Sequence, residues 1–239
     1  MKRKPFFSAR NIAYLAILVA LVVVLQVFAS AIPVGAASLN FSLVPIVLGA
    51  ILLGPAAGGF LGLLCGIIVF IQVVMGLTPF YTVIWSMSPF VTFLTCVVKT
   101  TVAGLVAGLV FRAIAKKSRL GATFAAAAVV PVINTALFIL GCLCMNNAIV
   151  AFQELLAGGD ASSEYLGMNI FVFIVIVLVT FNFFIELAIN LVLAPAICRI
   201  EAIVNSRVAR YRADREESAP AAGHAEQSQP ESTEKEDRA

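Results

Sequence analysis

The stretch Pro89–Arg112, PFVTFLTCVVKTTVAGLVAGLVFR, decides the architecture. Its body carries one charge, Lys99, and it ends at a basic turn containing Arg112, Lys116, Lys117 and Arg119. About 20 apolar residues in a helix cross the roughly 30 Å hydrocarbon layer of a bilayer. Runs of that kind recur along the chain. Over 239 residues, 61% are hydrophobic and 12% charged, far too apolar a mixture for a soluble domain. The sequence therefore predicts an all-α integral membrane protein, because a helix satisfies its own backbone hydrogen bonds in lipid.

Working outward from that span, six candidates emerge: Asn11–Ala31, Leu39–Leu53, Ala56–Met75, Pro89–Arg112, Leu120–Cys144 and Met168–Cys198. The second is short and carries Pro45, so charge has to decide whether it crosses. Lys and Arg concentrate on cytoplasmic flanks. Lys2, Arg3, Lys4 and Arg10 precede the first span, the 112–119 cluster joins the fourth to the fifth, and Arg199, Arg207, Arg210, Arg212 and Arg215 follow the last. Placing all three clusters on one side requires both termini in the cytoplasm and six crossings. The outer segments then lack Lys and Arg, and the last of them carries Glu154, Asp160 and Glu164.

The expected organisation is a cytoplasmic N-terminus over 1–10, a six-helix membrane domain over 11–200, and a cytoplasmic basic segment with a disordered tail over 201–239. The basic start, the apolar run from Ile12 to Phe28 and Ala29-Ser30-Ala31 also resemble a secretory leader. That run is longer than a usual leader core and more spans follow, so it reads as a retained first helix.

Several chemistries lack their residues. Cys65, Cys96, Cys142, Cys144 and Cys198 have no zinc-like spacing and read as inert thiols in or beside spans. The single histidine, His224, lies in the polar tail. No Walker A sequence, no H-E-x-x-H and no nucleophile elbow occur. No metal, cofactor, enzymatic activity or nucleic-acid partner is expected, and the net charge of +3 comes from clusters beside the spans.

Two charges stand inside apolar runs, Lys99 and Glu186. Each costs about 2.5–3.5 kcal/mol at membrane depth on insertion scales, so such groups pair internally or mark a ligand path. Asn182, Glu186 and Asn190 recur every four residues and share one helical face, expected to turn into the bundle. Counting 1.5 Å per residue sets Glu186 deeper than Lys99, with Asn182 the better match in depth. Lys99 therefore reads as a pocket residue, and Glu186 as a polar floor or helix-locking contact.

Pro131 frees a carbonyl beside Asn134, which serves either a pocket or a neighbouring helix. Phe80, Tyr81 and Trp85 crowd the outer segment Gly76–Ser88, suited to stacking on a planar ligand or to the interfacial aromatic belt. Asn40 and Phe41, in the outer segment Ile32–Ser42, are similar candidates. Gly58, Gly62, Gly66, Gly104 and Gly108 repeat at four-residue spacing and predict close helix approach. Ala16 and Ala20 offer a comparable smooth strip, facing either the bundle or a partner.

Taken in order, Ala16-Ile-Leu-Val-Ala20, Ser42-Leu-Val-Pro-Ile-Val-Leu-Gly49, Leu53-Gly-Pro-Ala-Ala-Gly58, Lys99-Thr-Thr-Val-Ala-Gly104-Leu-Val-Ala-Gly108 and Pro131-Val-Ile-Asn134-Thr135 form a pattern. It resembles the substrate-binding S component of energy-coupling-factor (ECF) vitamin transporters over most of Ala9–Cys198. The resemblance implies a six-helix protein of a prokaryotic plasma membrane that captures a water-soluble vitamin or precursor at the outer face. It implies partners as well, a transmembrane coupling subunit and two ATPase subunits, with Ala16 and Ala20 docking on the former. It brings forward Asn40, Tyr81, Trp85, Lys99, Asn134 and Asn190 as substrate-binding residues, with Asn182 and Glu186 as a polar bundle face. Lys99 favours an anionic molecule, whereas the aromatic segment suits a ring system. The alternative is a stand-alone ion-coupled carrier in which Glu186 cycles a proton.

Overall fold

The computed structural model describes residues 9–30, 33–34, 37–38, 40–160 and 162–217. Helix α1 spans Ala9–Ser30, and the two-residue strands β1 (Pro33–Val34) and β2 (Ala37–Ser38) pair antiparallel after it. Then come α2 (Leu43–Leu52), α3 (Pro55–Val74), α4 (Pro79–Met87), α5 (Pro89–Ile114), α6 (Arg119–Cys144) and α7 (Asn146–Ala157). Single turns α8 (Glu164–Gly167) and α9 (Ile170–Phe173) lead through a π-helical stretch, Ile174–Val179, into α10 (Thr180–Glu217).

Among the described residues, five helical stretches are long and apolar enough to cross a membrane: Arg10–Phe28, Pro55–Val74, Pro89–Ile114, Arg119–Cys144 and Ile170–Tyr211. The protein is an all-α, multi-pass membrane protein. The second expected span is shorter than its sequence reading. Helix α2 has 10 residues, about 15 Å of rise and half the hydrocarbon thickness. The chain spends Asn40, Phe41 and Ser42 on a turn before it. Of the three segments expected as outer loops, two contain helices, α4 within Gly76–Ser88 and α7 between the fifth and sixth expected spans. Thr78 starts α4 by accepting from the Tyr81 N–H at 3.2 Å, with Pro79 at the first helical position. Its buried residues are Phe80, Tyr81 and Ile84.

Glycine governs the central contact. α3 and α5 run antiparallel with their backbones touching. A Cβ on Gly66 would lie 2.6 Å from the Cys96 carbonyl oxygen, and one on Gly58 would lie 2.5 Å from that of Gly104. One on Gly62 would collide with the Thr100 carbonyl. Dispersion between close backbones replaces the hydrophobic drive that lipid removes. At the α2–α3 turn Gly54 adopts φ +102°, beside the Arg112 guanidinium, and Pro55 opens α3.

The aromatic core lies at the α4–α7 end. Fully buried Phe80 meets Phe152 at 5.1 Å and Phe138 at 6.1 Å between ring centroids, both edge-on. At the opposite end Arg119 forms an ion pair with the buried Glu201 carboxylate, joining the start of α6 to α10.

The chain divides into two compact units, residues 1–201 and 202–239. The bundle and its cavity belong to the first. Of the second, the described part is helix through Glu217, and the rest of the expected basic segment and disordered tail lies outside the described residues.

Candidate functional site

A cavity of about 760 Å³, including its opening, lies among α1, α3, α4, α5, α6 and the Ile174–Glu186 segment. On α5 it takes Thr92, Thr95, Cys96 and Lys99, and on α6 it takes Asn134, Thr135 and Phe138. These are the halves of α5 and α6 farther from the basic 112–119 turn. The π-helical stretch supplies Leu178 and Val179, and α10 supplies Asn182, Phe183 and Glu186. Its wider turn is closed by Thr180, whose hydroxyl donates to the Val175 carbonyl at 2.7 Å.

The two intramembrane charges both reach this cavity, yet they do not form an ion pair. The one ion pair within 4 Å among the described residues is that of Arg119 with Glu201. Glu186 is buried, and its Oε1 accepts the backbone N–H of Asn40 at 3.0 Å. The Lys99 ammonium stands over the Phe138 ring, 5.0 Å from its centroid. A depth count at 1.5 Å per residue separates Lys99 from Glu186 because it takes the last span as one regular helix. The π-helical turn and the packing of α10 bring both to one wall-lined space.

Behind Glu186 runs a buried polar chain. Ser42 Oγ lies 2.5 Å from Asn40 Oδ1, 2.8 Å from Gln26 Oε1 and 2.9 Å from Cys65 Sγ. Gln26 Nε2 in turn donates to Gln72 Oε1 at 3.1 Å. The Ser42 hydroxyl has one proton and faces two amide oxygens, so full satisfaction reverses one amide or draws on the Cys65 thiol. This chain ties α1, α2, α3 and α10 together through the Asn40 turn. In contrast, Asn134 Oδ1 and Asn182 Oδ1 are buried with no hydrogen-bond partner, and both residues line the cavity.

A family model described as the ECF transporter substrate-specific component matches residues 10–198. The chain belongs to this family. No curated protein matches it. Members are transport subunits that handle a small-molecule substrate alongside the other subunits of an ECF module.

In this S component, Asn40, Tyr81, Lys99, Asn134, Asn182 and Glu186 converge on the cavity. Two other expected substrate residues lie elsewhere. Trp85 is half-buried and packs edge-on against Phe70 at 5.4 Å, outside the cavity lining. Asn190 sits one turn beyond Glu186, donates to the Glu186 carbonyl at 2.8 Å and does not line the cavity. Ala16 and Ala20 are exposed on α1, whose buried stripe is Leu18, Val22 and Gln26 instead.

Sequence reasoning missed Gln26 and Gln72, 2% and 5% exposed. The signal was present: each is a lone amide within an apolar run, as costly to leave unpaired as the asparagines that were noticed. Among the described residues no group of three potential metal ligands occurs.

Proposed function

We propose that this protein is the substrate-capture subunit of an ECF-type ATP-dependent importer, taking a water-soluble vitamin or related molecule from the outer face of a prokaryotic cell membrane. The observation that carries this reading is a cavity holding Lys99, Glu186, Asn134 and Asn182 in a chain of the substrate-specific family. The cavity lies toward the ends of α5 and α6 opposite the basic 112–119 turn, and Lys and Arg favour the cytoplasmic side. That orientation opens it outward. Six crossings, with α2 completing the count, put both termini in the cytoplasm, the membrane domain at 11–200 and the basic segment at 201–239.

Asn40, Tyr81, Lys99 and Asn134 bind substrate in this reading, with Asn182 and Glu186 as the polar wall. The exposed Ala16–Ala20 strip docks on the transmembrane coupling subunit, which two ATPase subunits drive. A smooth strip left open on α1 suits close helix contact with a partner. The chain has no Walker A motif, so energy for release comes from those partners.

The test is uptake into liposomes containing this chain with and without a complete ECF module. Accumulation that requires the module and ATP supports the proposal. Accumulation by the isolated chain along a proton or sodium gradient overturns it in favour of an ion-coupled carrier.

A further inference from the structure

We propose that the cavity selects a small acidic molecule carrying an amide-type edge, meaning an amide, lactam or cyclic urea. Lys99 takes the acid group, and Asn134, Asn182 and Glu186 read the edge. This rests on the reading of the cavity as the substrate site.

The argument begins with what the cavity leaves unfinished. Lys99 bears a charge at membrane depth, where an uncompensated cation is costly. No carboxylate among the described residues lies within 4 Å of it, so Glu186 acts on it only at longer range and the Phe138 ring is its near contact. The carboxylate that shares the cavity, Glu186, already has Oε1 committed to the Asn40 N–H. An acid group from the ligand therefore gives Lys99 the charge-assisted hydrogen bond that the protein withholds.

The opposite deficiency is in amide chemistry. Asn134, 5% exposed, and half-buried Asn182 each hold a buried side-chain oxygen with no partner. In the assigned orientation each oxygen is a buried acceptor left unpaired, and turning the amide over puts an N–H donor in its place. Such a group costs about 1–3 kcal/mol while it stays unmet. An amide-type edge presents N–H and C=O side by side, so it satisfies an asparagine in either orientation. Glu186 adds an acceptor for a further ligand N–H. The walls include the apolar side chains of Val69, Val73, Ile84 and Leu178, which lower the local dielectric and strengthen these bonds.

Other ligand classes leave part of this set unmet. An organic cation is repelled by Lys99, a neutral ring gives it no direct ionic hydrogen bond, and a plain fatty acid leaves both asparagines unpaired.

The experiment is isothermal titration calorimetry on the full-length protein in lipid nanodiscs with five probes. Biotin and pantothenate carry an acid and an amide-type edge. Octanoate carries the acid alone, riboflavin the edge without an acid, and thiamine a cation. The expected result is binding of biotin or pantothenate, weakened roughly tenfold or more by Lys99→Met and by Asn134→Leu. Lys99→Arg restores part of the affinity, and thermal unfolding of each variant confirms that it is folded. Riboflavin or thiamine binding that ignores Lys99→Met, or octanoate binding as tightly as the best acid, overturns the assignment while leaving substrate capture intact. If no probe binds, native mass spectrometry of the gently purified protein decides. A co-purified acid with an amide-type edge supports the assignment, and a co-purified molecule of another class overturns it. Failure of every probe together with no co-purified molecule overturns the capture reading itself.

Discussion

The backbone N–H of Asn40 donates to Glu186 Oε1 at 3.0 Å, joining the turn before α2 to α10 across 146 residues of sequence. Through Ser42, Gln26 and Gln72 the same turn is linked to α1 and α3. One carboxylate thus fixes a loop at the cavity wall and orients its own free oxygen.

Replacing Glu186 separates anchoring from charge. Glu186→Gln keeps an acceptor for Asn40 and should retain most of the thermal stability. Glu186→Leu leaves a buried N–H unpaired and should lower stability by about 1–3 kcal/mol. Unfolding in mild detergent, followed by circular dichroism, reads the difference. Equal loss in both variants would mean that the negative charge, rather than the hydrogen bond, secures the turn.

The α3–α5 contact should be intolerant of a methyl group. Gly62→Ala forces the helices apart at the Thr100 carbonyl, an overpacking cost of about 1–3 kcal/mol or more. Gly167→Ala, with no neighbouring atom within 4 Å of the added carbon, is the control and should change nothing. Equal unfolding midpoints for the two variants would contradict the close approach.

Ala16→Trp or Ala20→Trp should abolish co-purification with the coupling subunit and leave both ligand affinity and unfolding midpoint unchanged. Both positions are exposed, so the added bulk meets no neighbour within this chain. Loss of ligand binding in step with docking would show that the strip serves the bundle.

Trp85→Phe should leave ligand affinity unchanged in calorimetry, because Trp85 contacts Phe70 and lies off the cavity. Tyr81→Ala should weaken binding, since Tyr81 lines the cavity from the buried face of α4. The reverse order would require α4 to rotate when ligand enters.

Four of the five cysteines should react in two classes, Cys198 being of intermediate exposure. Cys144 is exposed, whereas Cys65, Cys96 and Cys142 are buried. A water-soluble maleimide should label Cys144 first and reach the buried three after denaturation, as mass spectrometry of labelled peptides would reveal.

Composition and spacing were enough to determine a helical membrane protein, the glycine-lined approach of α3 and α5, and the polar residues worth suspecting. These follow from local rules, since lipid demands closed backbone hydrogen bonding and small residues permit contact between helices. The motif order was enough to suggest the family. Length misled at α2, because a hydropathy run does not reveal that Asn40–Ser42 form a turn. It also misled at α4, where a segment read as loop folds because Phe80 and Ile84 find a buried surface.

What the tertiary structure alone decided is the grouping of side chains around the cavity. Asn182 and Asn190 share one broad helical face, about 80° apart around the axis, yet only the first lines the cavity and the second lies one turn beyond Glu186. Tyr81 and Trp85 share one short helix, and packing sends the first inward and the second against Phe70. The pairing of Asn40 with Glu186, and the separation of Glu186 from Lys99 beyond ion-pair distance, depend on angles and offsets between helices. Those are set by side-chain contacts far apart in sequence, and periodicity within a single helix carries no record of them.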